Sequence, residues 1–492
     1  MSEAAVDRQI RGTSVRNSEP PVRRWWILFV ISTAWLMVIL DATIVNVALP
    51  SAQRSLAFSV ADRQWVVTAY SLVFGCLLLI SGRVSLIFGR KQTFVVGLIG
   101  FVIASVAGGA STSFAMLIAA RAVQGAFAAL ITPAALGILT TTFVEDVKER
   151  ETAFAIYSGI AAVGGAVGLL LGGVLTQYLS WRWCMYVNVV FAATALVGAV
   201  LLIHDKVVQT EVTWDIPGSV LSAGGVAAVV FGFAEASLHG WSDAWAWGLI
   251  AAGVVLLGVF IVVETLVRHP LAPLRIFNRL RGTTYLSRTV NGMGIAGMFL
   301  IMTYYFQGVL GYSAVKTGVS FMPFVGGFVI SAQLVQRVLL GRFGPKVVVS
   351  LSLAVGAAGA AWLAQIGLHT SYGTLVAPLV LLGLGIGGTM VSTTALGVAV
   401  SEPRDIASAS ALTGATFQIG QSIGAALLNT IAVTVSIHYL AARGGVADAR
   451  LPASLHGDVI ALATLVGIFA GAALISVVLY PRRPASAVTP EP

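Results

Sequence analysis

Fourteen stretches of about 20 predominantly apolar residues recur along the chain, and they constrain its fold more than any other feature. A helix needs about 20 such residues to cross a bilayer. The stretches cover approximately 25–49, 64–82, 92–111, 114–141, 152–177, 183–203, 216–235, 246–267, 283–308, 317–338, 345–366, 374–399, 406–435 and 457–480. Only 10% of the residues are charged, against about 25% in soluble domains. The sequence therefore predicts an all-α polytopic membrane protein with 14 transmembrane helices.

The basic residues are concentrated on one side of the predicted membrane protein. Of the 29 Lys and Arg residues, 22 are assigned to the side of the termini, Arg288 among them, and six, including Arg63, to the opposite side. Because basic residues mark the cytoplasmic face, both termini are expected in the cytoplasm. The net charge of +9 is then a topology signal, and no nucleic-acid partner is expected. The excess of Arg over Lys is typical of GC-rich bacteria, so the expected location is a bacterial cell membrane.

Internal similarity divides the predicted spans into two halves around an extra pair. GRVSLIFGRK at 82–91 and GRFGPK at 341–346 both follow a span with Gly-Arg and then a basic residue, and they lie eight spans apart. Two glycine-rich spans repeat with the same offset. Repeated halves around a midplane site are a common plan of transporters. The expected organisation is a cytoplasmic tail at 1–24, a six-helix bundle at 25–203, two inserted helices at 216–267, a second six-helix bundle at 283–480 and a cytoplasmic tail at 481–492.

Two charges inside predicted spans are the strongest functional signal. Asp41 lies about 24 Å from the inner end of the first span, and Arg121 lies roughly 10 Å from the outer end of the fourth. A charge at bilayer depth costs roughly 3 kcal/mol on insertion scales. Such residues are therefore retained for proton transfer, ion pairing or a water-filled path. The shared depth is compatible with a functional pair and also with a static ion pair that joins two helices.

An acid and a glycine stripe extend the set of candidates. Glu235, near the outer end of the seventh span, is either a second protonation site or an interfacial acid. Gly164, Gly168 and Gly172 share one helical face, and Gly173 follows directly. Small residues four apart allow two helices to approach closely. The stripe therefore predicts either simple packing or a hinge.

A basic turn and several polar side chains complete the set. Gly82, Gly89, Arg90 and Lys91 predict a tight cytoplasmic turn, which acts either as a conformational switch or only as a topology anchor. Uncharged polar or aromatic side chains within the spans are candidates for a substrate cavity, with helix packing as the alternative. They are Asn46, Tyr70, Gln124, Tyr304, Gln333, Gln418 and Gln421.

Motifs of other functional classes are absent from the sequence. It contains no GxxxxGK[ST] phosphate loop, no HExxH motif and no GxSxG motif. Cys76 and Cys184 both fall within spans and predict apolar packing, not a disulfide framework. We therefore expect no enzyme activity, no cofactor and no metal site, and an ion gradient is the remaining energy source.

In chain order, these motifs resemble the major facilitator superfamily, in its fourteen-helix drug:proton antiporter group, over nearly the whole chain. LDATIVNVALP at 40–50 resembles the first-helix signature of the group, and GRVSLIFGRK at 82–91 resembles its signature in the loop between helices 2 and 3. RAVQGAFAALITPA at 121–134 is similar to the helix 4 signature, and the run at 159–175 resembles the antiporter signature of helix 5.

The resemblance implies roles for the residues already singled out. Asp41 would be a proton-coupling acid and Arg121 its partner. The glycines of the turn at 82–91, with Arg90, would govern the inward/outward switch, and the span 5 glycines would shape the antiport hinge. The chain departs from the family where Leu86 replaces an acid and Ile87 replaces a basic residue, which leaves the usual charge latch incomplete. Leu169 stands where proline is common, so a weaker bend is expected.

The expected function is proton-coupled export of small hydrophobic or amphipathic compounds, such as drugs or antibiotics, by alternating access. The expected partners are protons, a small-molecule substrate and membrane lipid, and the expected state is a monomer. Two alternatives remain open: a dedicated exporter of one endogenous metabolite, and a non-transporting membrane receptor or scaffold. The second alternative gives no reason for Asp41.

Overall fold

The computed structural model describes residues 21–143, 147–204, 215–267, 277–398, 406–443 and 447–481. The predicted cytoplasmic tails lie outside the described residues, except for 21–24 and residue 481. The link between the inserted helices and the second predicted bundle lies outside them at 268–276.

Fifteen α-helices follow one another along the described residues. The first eight are α1 (Pro21–Leu56), α2 (Trp65–Phe88), α3 (Arg90–Gly109), α4 (Phe114–Thr142), α5 (Val147–Tyr178), α6 (Trp183–Leu202), α7 (Ile216–His239) and α8 (Ala244–Leu266). The others are α9 (Arg279–Tyr304), α10 (Ala314–Ser320), α11 (Met322–Leu334), α12 (Leu340–Leu363), α13 (Tyr372–Val398), α14 (Ile406–Ala442) and α15 (Arg450–Leu479). Short 3₁₀ or π segments lie at Asp62–Gln64, Tyr305–Val309, Val335–Leu339 and Ala447–Ala449.

Most of these helices are long and apolar enough to cross a membrane. Eleven segments of the described residues meet that test, and twelve do if the bent pair Asp62–Leu78 and Ile80–Phe88 forms one span. One segment, Ala314–Leu363, is 50 residues long, but Gly344 interrupts it with φ 74° and ψ 169°. A positive φ of this kind is readily adopted by glycine. The predicted all-α polytopic class is confirmed, whereas the number of fourteen spans stays a prediction.

Two hydrophobic cores hold the helices together. Side chains of α1–α6, such as Phe94 and Ile131, dominate one core, and side chains of α9–α15, such as Phe299 and Phe469, dominate the other. We call these groups of helices the N-terminal half and the C-terminal half. The pair α7–α8 packs on both halves, because Val226 of α7 belongs to a small cluster with residues of α2 and α14.

The two halves are joined where α1 ends and α2 begins, which we call the outer end. Arg63 Nε donates to Asn429 Oδ1 at 2.6 Å, and the Arg63 guanidinium lies 4.0 Å from the ring centroid of Tyr304. Tyr304 OH donates to Gln53 Oε1 at 2.5 Å. These cross-half contacts bridge the outer end of the molecule.

Candidate ion-pair site and central cavity

The two intramembrane charges singled out in the sequence are in direct contact. Arg121 of α4 donates from Nη1 to Asp41 Oδ2 of α1 at 2.6 Å. Their side chains are 1% and 0% exposed, respectively. A buried charge is costly unless it is paired and hydrogen-bonded. The contact between Asp41 and Arg121 therefore explains how both charged side chains can be buried between the packed helices. It leaves open whether the pair is functional or static.

Neutral donors complete the surroundings of the buried carboxylate. Gln124, one turn after Arg121 on α4, donates from Nε2 to Asp41 Oδ1 at 3.2 Å and accepts from Arg121 Nη1 at 2.9 Å. Asn188 of α6 donates to the same Asp41 Oδ1 at 2.7 Å. Gln124 Nε2 also donates to Ser105 Oγ of α3 at 2.8 Å. Side chains from four helices thus form one network around a carboxylate, and donation to an ionised acceptor makes such bonds strong.

Tyr70 separates the ion pair from the interior space between the halves. The Arg121 guanidinium lies 4.4 Å from the centroid of the Tyr70 ring, a geometry in which the ring face attracts the cation. Arg121 Nε also donates to Val66 O at 3.0 Å. The Tyr70 hydroxyl is buried without a hydrogen-bond partner among the described residues. One face of Tyr70 therefore belongs to the charge network, while the same side chain also lines the cavity described next.

A cavity of about 230 Å³ lies between the N-terminal and C-terminal halves. Aromatic side chains form much of its wall: Trp35, Tyr70, Phe74, Phe299, Phe324, Phe328 and Phe417. On α1, α2, α9 and α14, the lining residues lie nearer the inner end than the contacts that bridge the halves at the outer end. The bridge therefore lies between the cavity and the outer end of the molecule.

Three of the candidate cavity residues line this space, namely Tyr70, Gln418 and Gln421. The other four lie elsewhere in the described structure. Asn46 bonds back to its own helix, with Nδ2 3.0 Å from Ala42 O, and Gln124 belongs to the ion-pair network. Tyr304 is part of the bridge at the outer end, and Gln333 is exposed on α11.

Among the described residues that line the cavity, Arg288 is the only one with a charged side chain. This position within a helix corrects its assignment to the cytoplasmic side. Since α9 begins at Arg279, residue 288 lies about 13 Å along the helix at ~1.5 Å per residue. Arg288 Nη1 donates to Met390 O at 2.9 Å and to Thr394 Oγ1 at 2.6 Å. Its position inside the predicted span 283–308 was the signal that could have revealed it.

The glycine stripe brings α5 against the helix that carries the buried acid. Gly164, Gly168 and Gly172 face α1, and a Cβ at Gly172 would lie 2.7 Å from Ile44 O. Gly173 faces the other way, where a Cβ would lie 2.7 Å from a backbone carbonyl of α10. In this way α5 is held between α1 and the C-terminal half by close backbone contacts.

The predicted turn between α2 and α3 contacts two other helices. Gly89 has φ 92° and ψ 145° and separates α2 from α3. Arg90 packs on α4, where a Cβ added at Gly137 would lie 2.9 Å from Arg90 Cδ. Lys91 Nζ donates to a backbone carbonyl of α6 at 3.1 Å. An added Cβ at Gly82 would have open space around it.

Comparison with known proteins decides the family. The family model described as Major Facilitator Superfamily matches residues 31–425. The chain belongs to the major facilitator superfamily. It is 42% identical over 468 residues to the puromycin resistance protein pur8 of Streptomyces alboniger, which covers 94% of this chain and 93% of that protein. It is 37% identical over 413 residues to the cephamycin export protein CmcT of Amycolatopsis lactamdurans, with 82% and 84% of the two chains covered.

A solved structure agrees on the fold of this major facilitator. A bacterial homologue of the human lysosomal transporter Spinster, inward-facing and unoccupied, matches with a TM-score of 0.67 at 16% identity, over 95% of this chain and 100% of that chain. The resemblance seen in the sequence motifs is thus confirmed at the level of the superfamily. The protein is a multi-pass membrane transporter with bacterial relatives that are antibiotic resistance and export proteins.

Glu235 lies at the outer end of α7 in this major facilitator. Its Oε1 is 2.7 Å from Nδ1 of His239, one turn later, and the two side chains are 27% and 62% exposed. Asp243 lies close to both. Both alternatives for Glu235, an interfacial acid and a second protonation site, stay predictions.

Two buried residues near the charged groups were missed by the sequence analysis. Asn188, which completes the Asp41 network, is an uncharged residue in an apolar span and gives no distinctive pattern. Asp458 of α15 is 2% exposed and interacts electrostatically with Arg63. It is the second residue of the predicted span 457–480. An acid so close to the end of a predicted span is readily taken for a loop residue.

Proposed function

We propose that this major facilitator exports small hydrophobic or amphipathic compounds, such as antibiotics, in exchange for protons, and that it works as a monomer. The relatives named for puromycin resistance and cephamycin export support the cargo class. The aromatic wall of the cavity suits an apolar cargo, because small-molecule sites are mostly apolar with a few placed polar groups.

The observation that carries the proton coupling is the buried network around Asp41. This carboxylate is 0% exposed and is held by a cation, a glutamine and an asparagine from two other helices. Protonation removes the negative charge, so the attraction to Arg121 is lost while Val66 O and the Tyr70 ring still hold the guanidinium. In our proposal this change loosens α1 from α4 and α6.

Tyr70 and the glycine stripe link that change to the cargo site. The Tyr70 ring contacts Arg121 and also lines the cavity, so a shift of the guanidinium alters the cavity wall. The stripe at Gly164, Gly168 and Gly172 lets α1 move against α5 with little steric resistance. We assign the stripe, with Gly173, the role of hinge between the halves.

For the membrane arrangement, we propose 14 spans in two six-helix bundles at 25–203 and 283–480, with the inserted pair at 216–267 and both termini cytoplasmic. The break at Gly344 supports two spans within Ala314–Leu363. The contact of Arg63 with Asn429 then represents the state closed to the outside. It must open when cargo leaves.

The switch at the inner end uses, in our proposal, acids of the inserted pair. Gly89, Arg90 and Lys91 form the turn, but Leu86 stands where the resemblance to the family implies an acid. Asp215 and Glu264 of the inserted pair region are 2% and 3% exposed, and both interact electrostatically with Arg83 at the inner part of α2. They supply the negative charge that Leu86 cannot.

A transport assay in proteoliposomes with an imposed pH gradient tests the function. The full-length protein is assayed with a panel of chemically diverse dyes and antibiotics, beside Asp41→Asn and the control Asp243→Asn, which removes a carboxylate at the N-terminus of α8, outside both the network and the bridge. We expect pH-driven transport in the wild type, loss of it in Asp41→Asn at equal reconstitution, and retention in Asp243→Asn. Undiminished transport by Asp41→Asn would refute the assigned role, and transport of a single compound would favour a dedicated metabolite exporter.

A further inference from the structure

The central cavity contains a buried cation that no opposite charge compensates within the described part of the chain. Arg288 is 6% exposed, and its Nη1 bonds only to neutral acceptors, Met390 O and Thr394 Oγ1. Its Nε is buried without a hydrogen-bond partner. Among the described ion pairs, none involves Arg288. Because burial of an unpaired charge is unfavourable, this side chain has an interaction left to make.

The groups around Arg288 indicate what would make that interaction. The guanidinium lies 4.9 Å from the ring centroid of Phe417, and Arg288 and Phe417 both line the cavity. The amide side chains of Gln418 and Gln421 line the same wall. An aromatic molecule can therefore pack on the rings while a planar acidic group on it reaches the guanidinium, whose geometry matches such groups.

We propose that Arg288 recognises an acidic group of the cargo, so that the cavity prefers aromatic molecules that carry one carboxylate, sulfonate or phenolate. This inference rests on the proposed function, in which the central cavity is the export site. A purely structural Arg288 would only tie α9 to α13 through Met390 and Thr394, and it would give no preference between charged and uncharged ligands.

Two dyes that differ by one acidic group test the inference. Binding of 1-anilinonaphthalene-8-sulfonate and of N-phenyl-1-naphthylamine, which lacks the sulfonate, is titrated on the full-length protein in detergent. The variants are Arg288→Gln, Arg288→Lys and, as a control, Arg443→Gln, which removes an exposed arginine outside the cavity. We expect the wild type to prefer the sulfonate, and Arg288→Gln to bind it about 10-fold to 100-fold more weakly. Arg288→Lys should keep part of the preference, and Arg443→Gln should keep all of it.

The outcomes separate this inference from the proposed function. Unchanged neutral-dye binding in Arg288→Gln shows that the variant is folded, and an unchanged sulfonate preference there would overturn the inference. If Arg288→Gln does not fold, the wild type decides, because equal affinities for the two dyes in the wild type overturn the inference equally. If the wild type transports neither dye in response to a pH gradient, by contrast, the proposed function itself is refuted.

Discussion

In each half of this major facilitator a buried guanidinium lies against the wall of the central cavity, but the two halves satisfy that charge in different ways. In the N-terminal half, Arg121 meets Asp41 at 2.6 Å. In the C-terminal half, Arg288 meets only neutral acceptors among the described residues. Each guanidinium lies over an aromatic ring of the same cavity wall, Tyr70 at 4.4 Å and Phe417 at 4.9 Å.

The N-terminal half satisfies its buried charge without a ligand, whereas the C-terminal half does not among the described residues. A buried ion pair with further hydrogen bonds leaves little unsatisfied, so the charge state of Asp41 can change only when a proton arrives. A buried cation without an anion can gain directly from an incoming acidic group. We infer a division of labour, in which the N-terminal half handles the proton and the C-terminal half handles the cargo.

Substitution of the two arginines should change the free energy of unfolding by very different amounts. Arg121→Met leaves Asp41 buried and uncompensated, so we expect the free energy of unfolding to fall by about 3–5 kcal/mol. Arg288→Met removes a charge that has no anionic partner among the described residues and that bonds to neutral acceptors, so we expect a change of about 1 kcal/mol, as for a neutral hydrogen bond. Unfolding in mixed micelles of lipid and denaturing detergent measures both.

A double variant sharpens this contrast. Asp41→Asn combined with Arg121→Met removes both charges, and it should recover part of the stability lost by Arg121→Met alone. The comparison between the halves breaks down if Arg288→Met costs as much as Arg121→Met, because Arg288 would then have a compensating partner of its own.

A smaller effect is expected at the helix contacts that surround the charges. A Cβ at Gly172 would lie 2.7 Å from the backbone oxygen of Ile44 on α1, and backbone cannot rotate away as a side chain can. We expect Gly172→Ala to cost about 1–3 kcal/mol in unfolding free energy and to slow transport. The control is Gly159→Ala on the same helix, where nothing lies within 4 Å of the added atom.

The same test compares the halves, because Gly424 of α14 packs on α9 as Gly172 of α5 packs on α1. A Cβ at Gly424 would lie 2.6 Å from Met293 O. Similar losses for Gly172→Ala and Gly424→Ala would indicate equivalent packing in the two halves. If Gly172→Ala is as well tolerated as Gly159→Ala, the contact between α5 and α1 is looser than the backbone geometry indicates, and the hinge assignment fails.

The sequence predicted the membrane class and the ion pair, because both are visible locally, as long apolar stretches and as charged residues within them. Asp41 and Arg121 are conspicuous among apolar residues, and their distances along two helices gave a common depth. Arg288 is also charged, but it follows a basic stretch, and a residue near the start of a span is readily assigned to the adjoining loop.

Other parts of the site could not be predicted because they depend on how distant helices meet. Asn188 joins the network only because α6 lies beside α1, and no local pattern marks that contact. Gln333 and Gln418 are both polar residues within apolar spans. Gln333 is nevertheless exposed on α11, whereas Gln418 lines the cavity. Which face of a helix meets the cavity is decided by tertiary packing, since both sides of a membrane helix are apolar.

The smallest expected effect concerns the two rings beneath the guanidiniums. Tyr70→Leu removes the ring from the Arg121 side chain, and the loss of the cation–π contact should cost about 0.5–2 kcal/mol in unfolding free energy. Phe417→Leu does the same under Arg288, where the described residues place no anion beside the guanidinium. Tyr70→Phe is the matched control, because the Tyr70 hydroxyl has no hydrogen-bond partner among the described residues and its loss should change stability little.

Transport and cargo-binding measurements should distinguish Tyr70→Leu from Phe417→Leu more clearly than the free energy of unfolding does. If Tyr70 transmits the state of the ion pair to the cavity, Tyr70→Leu should weaken the dependence of transport on the pH gradient while cargo still binds. Phe417→Leu should instead weaken cargo binding and leave the dependence on the gradient intact, because Phe417 contacts the cation assigned to the cargo. The reverse pattern would exchange the roles of the two halves, and identical effects of both variants would show that the cavity wall acts as a single unit.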